Sequence, residues 1–110
     1  MIFDKDGNTS IITQEKVSII ELVKKIDVLY ERFRNDNIMV CLTTLDKVTL
    51  PHIVEFLQLS NKHRRAKHSF VIVTDKTNLD ETPDEIVVVP TMQEAYDIIE
   101  MEEIERDLGF

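Results

Sequence analysis

A single cysteine, two glycines, three prolines and no tryptophan stand among the 110 residues of this chain, and each shortage removes a class of chemistry. Cys41 has no second thiol to pair with, so an internal disulfide and a dithiol redox centre are excluded. Gly7 and Gly109 are too few and too far apart for a glycine-rich phosphate loop, and there is no Gly-x-Ser-x-Gly elbow. No segment approaches the roughly 20 apolar residues of a membrane span. The start, Met1 to Gly7, is too charged and too short in apolar run for a secretory signal, so a cytoplasmic location is expected.

Positive charge is scarce as well: 13 Lys and Arg face 21 Asp and Glu, for a net charge of −8. The imbalance lies in the last quarter. Residues 1–79 carry 12 basic against 10 acidic side chains, whereas residues 80–110 carry Arg106 alone against 11 acids. Phosphate-binding surfaces release counterions through net basic patches, so this balance speaks against general affinity for nucleic acid or an anionic membrane.

What is present is a folded composition, 43% hydrophobic and 31% charged, in a length that suits one domain spanning 1–110. Two short strands, Met1 to Asp4 and Thr9 to Thr13, flank the turn former Asp6-Gly7-Asn8. From Gln14 to Arg34, apolar residues recur at steps of three and four through Ile19, Leu22, Val23, Ile26, Leu29, Tyr30 and Phe33, which predicts one amphipathic helix. The buried strand Ile38 to Leu42 follows and holds Cys41, where a small apolar residue is expected. Thr49 is the expected N-cap of a second helix, with the stripe Leu50, Ile53, Val54 and Leu57. That stripe continues into Ser60, Asn61 and Arg64, so the helix is expected to leave the core in its last turns. Phe70 to Val73 and Ile86 to Val89 read as strands across a polar link, Asp75 to Glu85. Thr91 and Glu94 form a capping box that opens an acidic C-terminal helix over 91–107.

The predicted fold is therefore α/β, a mixed sheet of about five strands with three helices in the order β-β-α-β-α-β-β-α. Three strands are apolar on both faces, and three helices leave part of the sheet for a partner to cover.

This pattern resembles the STAS domain, the fold of bacterial anti-sigma-factor antagonists. The resemblance spans most of the chain and is carried by Ile38-Met39-Val40-Cys41-Leu42, the helix from Leu50, Ser69-Phe70-Val71-Ile72-Val73, and Ile86-Val87-Val88-Val89-Pro90-Thr91-Met92-Gln93-Glu94-Ala95. It implies a STAS-like module that binds and regulates another protein without catalysis. The family's switch is a phosphorylated Ser or Thr in an Asp-Ser-Ser-Gly-like segment before the middle helix, where added charge breaks docking. Asp46-Lys47-Val48-Thr49-Leu50-Pro51 has neither serine nor glycine there, which leaves Thr49 as the sole stand-in phospho-acceptor. The ending Met101 to Phe110 also resembles small bacterial proteins labelled ribonuclease Z. A zinc nuclease of that family needs a His-x-His-x-Asp-His cluster, and His52, His63 and His68 have no such spacing. Neither a metal nor a cofactor is expected, and the three histidines are expected at helix surfaces or ends.

Two surfaces stand out as partner-binding. Lys62, Arg64, Arg65 and Lys67 form a basic cluster. It reads as complement to a helix C-terminus, as a docking patch for an acidic protein together with His52, or as a contact for RNA or a nuclease in an RNA-processing accessory. No aromatic residue interleaves the cluster, which weakens the nucleic-acid option. In the last helix, Met92, Ala95, Ile98 and Ile99 share one side, while Met101, Ile104 and Leu108 lie nearly opposite. The second set, with Phe110, is expected to contact another chain, in a homodimer or with a different protein, or to pack back after a bend. Its acidic neighbours are expected to pair with the basic cluster of a second subunit.

Overall fold

The structure, a computed structural model, describes residues 1–16 and 18–109. The elements run β1 (Ile2–Asp6), β2 (Thr9–Thr13), α1 (Ile19–Val28), α2 (Tyr30–Phe33), β3 (Asn37–Cys41), α3 (Leu50–Val54), α4 (Leu57–Arg65), β4 (Phe70–Val73), β5 (Val87–Val89) and α5 (Met92–Asp107). A 3-10 turn at Leu79–Glu81 interrupts the polar link. The five strands form one mixed sheet in the spatial order β1-β2-β3-β4-β5. β1 and β2 pair antiparallel around Gly7, whose φ of 59° is a left-handed value that glycine adopts without steric cost. β2 through β5 are parallel, as crossover connections require.

Both faces of the sheet are covered, but unequally. Side chains of one parity, Ile12, Ile38, Val40, Phe70 and Ile72, pack with α1 to α4 through Leu22, Ile26, Phe33, Ile53 and Phe56. Those of the other parity, Ile11, Met39, Cys41, Val71 and Val73, pack on α5 through Ala95 and Ile99. β3 and β4 are buried throughout, whereas β5 is half-buried and β1 is exposed. The share of the sheet left for a partner therefore shrinks to its margins.

Helix number differs from the expectation of three. The first predicted helix starts at Ile19, capped by Ser18 Oγ accepting from the Glu21 N–H at 3.3 Å, and breaks at Leu29 with φ −93° and ψ 9°. The second divides between Val54 and Leu57, where Phe56 N–H bonds Ile53 O at 3.0 Å in a 3-10 step. Hydrophobic periodicity is blind to both breaks, because the apolar stripe continues through each.

α4 does not leave the core. Leu59, Ser60 and His63 are buried, His63 completely, which corrects the expectation of a surface histidine. The His63 ring is satisfied on both sides: Tyr30 Oη lies 2.7 Å from Nδ1, and Asp36 O lies 2.6 Å from Nε2. A neutral ring protonated on Nε2 fits this pair of partners, accepting from the tyrosine and donating to the carbonyl. Burial is the main reason that its pKa falls to about 4. His68 stacks on it at 5.3 Å, and Lys62 Nζ sits 4.1 Å over the Tyr30 ring.

Candidate interaction surface

α5 forms because Thr91 caps it, Oγ1 accepting from the Glu94 N–H at 3.2 Å. It remains one continuous helix to Asp107, so the bend that would have packed its second half back does not occur. Its first half buries Ala95 and Ile99 against the sheet. The second half inverts the usual polarity: Glu102, Glu103 and Arg106 turn inward, while Met101, Ile104 and Leu108 are 50%, 53% and 67% exposed.

The inward groups meet the N-terminal ends of the parallel strands. Glu103 Oε1 accepts from the side-chain amides of Asn8, at 2.8 Å, and Asn37. Arg106 donates to Ser69 Oγ at 3.2 Å and to Asn37 Oδ1 at 3.3 Å, and Asn37 Oδ1 also accepts the Ser69 N–H at 2.9 Å. Arg64 donates to Glu102 Oε2 and to Phe70 O, each at 3.0 Å. The basic and acidic clusters thus meet within one chain, whereas the sequence placed that pairing between two subunits. A polar cleft of about 350 Å³ opens beside this network, lined by Asn35, Lys67, His68 and Asp107 among others. Lys67 and Arg106 share its lining with Glu103 and Asp107, and among the described residues no cluster of metal-ligating side chains occurs.

Of the basic cluster, Lys62 pairs with Asp27 at 3.6 Å and Arg64 with Glu102, so Arg65 and Lys67 remain exposed without an ion pair among the described residues. Thr49 and His52 lie at the other end of the sheet, after β3, where they satisfy each other. The Thr49 N–H donates to His52 Nδ1 at 3.1 Å, and the His52 N–H to Thr49 Oγ1 at 3.4 Å. The sequence marked Thr49 as the cap and missed His52 as its reciprocal partner, since that place in the box is normally held by Glu or Gln. Phe110 lies outside the described residues. The structure therefore joins the α4 end to α5 and leaves Thr49 and His52 apart from both.

A second apolar surface adjoins α5. β5 closes the sheet on one side, and between it and the helix runs a groove of about 410 Å³. Leu79, Val88, Pro90, Ile98 and Met101 line it, with Glu94 and Asp97 on its rim. Sequence reasoning found Met101 but not the groove, which depends on which strand ends the sheet. Among the described residues no helix is long and apolar enough to cross a membrane. No protein-family model matches the chain, and a search of curated proteins finds no match.

Proposed function

We infer that this α/β domain is a non-catalytic protein-interaction or regulatory module of STAS-like type, working through the outward side of α5. One observation carries the reading: Met101, Ile104 and Leu108 face solvent in a continuous helix whose Glu102, Glu103 and Arg106 are turned into the body. An apolar row in this position gains nothing for the isolated chain and becomes useful when another surface removes it from water. The order of strands and helices, the parallel strands from β2 onward and the Thr91 cap support the STAS-like element of the reading. Regulation by phosphorylation draws less support, because the Thr49 hydroxyl is half-buried and already accepts at the start of α3.

The test compares the native chain with a Met101→Ser, Ile104→Ser, Leu108→Ser variant. All three positions are exposed, so the melting temperature should be kept. Affinity recovery from native extract and mass by light scattering are then measured for both. Loss of a co-purifying protein, or a fall in mass from dimer to monomer, is expected. Unchanged recovery and unchanged mass would sink the reading.

A further inference from the structure

The open edge of β5 extends the α5 surface into a main-chain site. Thr74 N–H bonds Val89 O at 2.9 Å, and the register pairs Val73 with Val89. In a parallel ladder alternate residues bond the same neighbour, so Val87 and Val89 serve β4 while Val88 directs its N–H and C=O outward. β5 is the last strand of the sheet, and among the described residues no loop hydrogen bond reaches either Val88 group. The groove beside this edge is apolar on its floor and acidic around it. Glu94 and Asp97 form its rim, and Asp84 and Glu85 precede the strand. None of these four carboxylates pairs with a Lys or Arg of the described residues.

Taking the α5 side as a partner-binding surface, we propose that the β5 edge receives an extended segment of a different protein. The segment is rich in Lys or Arg, adds as a sixth strand, and seats alternate apolar side chains in the groove. Charge selects this occupant over a second copy. Two copies joined edge to edge would bring the same carboxylates together, a repulsive arrangement. Nor do the described residues include an extended basic segment to offer: β1 carries Asp4, Lys5 and Asp6, and the basic cluster lies on α4 and the turn that follows it, with Arg64 held on Glu102. β5 has only three residues and ends at Pro90, so main-chain bonding is confined to the neighbourhood of Val88. Affinity then depends on the acidic rim and the groove as much as on the ladder.

The whole chain is panned against a random linear peptide library displayed on phage. Enriched sequences should alternate Lys or Arg with apolar residues. As free labelled peptides, they should bind about tenfold more weakly to the Glu94→Lys, Asp97→Lys chain. N-methylation of the peptide amide facing Val88 should weaken them comparably. Both substituted positions are exposed, and an unchanged melting temperature confirms that the variant is folded. Absence of an alternating basic pattern, or affinity unmoved by charge reversal or N-methylation, overturns the proposal. So does a homodimer that dissociates on Met101→Asp. If the triple serine variant loses its partner while no basic peptide is enriched, the interaction role stands and strand addition falls.

Discussion

At neutral pH the His63 ring is uncharged, and acidification meets it differently in the folded and unfolded chain. The unfolded chain protonates this residue near pH 6.5, the folded chain only near 4. Between those values the unfolded state binds more protons, so stability falls as pH drops from 6.5 towards 4, by about 2 kcal/mol at pH 5 from this residue alone. Urea unfolding at pH 7 and pH 5 should show that loss in the native chain and a smaller one in His63→Leu. Tyr30→Phe removes the donor to His63 Nδ1 and should cost about 1–3 kcal/mol, read by the same method at pH 7. Cys41 is a simpler case. It is buried, and burial pushes its thiol pKa up, so it should resist a thiol reagent at pH 8 and react at once in denaturant. Asn37 ties Ser69, Glu103 and Arg106 together from a buried position. Asn37→Ala leaves the Ser69 N–H without its acceptor.

At the scale of the element, α5 consists of two halves held by different forces. Ala95 and Ile99 anchor the first by apolar burial, whereas Glu102, Glu103 and Arg106 anchor the second by hydrogen bonds and an ion pair near the surface. Partly exposed polar contacts contribute little net free energy because water competes for the same groups. Amide exchange measured by mass spectrometry should therefore be faster over 101–107 than over 95–99. Thr91→Ala removes the cap that fixes the start of the helix and should lower stability by about 1 kcal/mol. The Arg64–Glu102 pair joins α4 to α5, which explains why the basic end of α4 is less available to a partner than its composition suggests.

For the whole molecule, the unequal covering of the sheet matters most. Four helical segments shield one face, and α5 alone shields the other. A chain ending at Thr91 would expose Met39, Cys41, Val71 and Val73 together. It should bind a hydrophobic dye and lose near-ultraviolet circular dichroism, in contrast to the triple serine variant of the outward row, which keeps both faces covered. Deleting 101–110 is a poorer probe of the interface than point substitution, because it also removes the bonds from Glu102, Glu103 and Arg106 to the body.

Local periodicity determined much of this protein in advance. Alternating and continuous apolar runs marked the strands, steps of three and four marked the amphipathic helices, and Thr49 and Thr91 marked two helix starts, because each of these signals acts between residues close in sequence. The same rule showed that Met101, Ile104 and Leu108 lie on a different side from Ala95 and Ile99. Contacts across long separations required the tertiary structure. His63 sits in the core because Tyr30 and Asp36 reach it from 33 and 27 residues away, and Arg64 meets Glu102 from 38 residues away. The strand order alone decided that β5 would end the sheet and leave Val88 facing outward beside an acidic groove. Strand neighbours are chosen by the closing of the whole core, and no short window of sequence contains that choice.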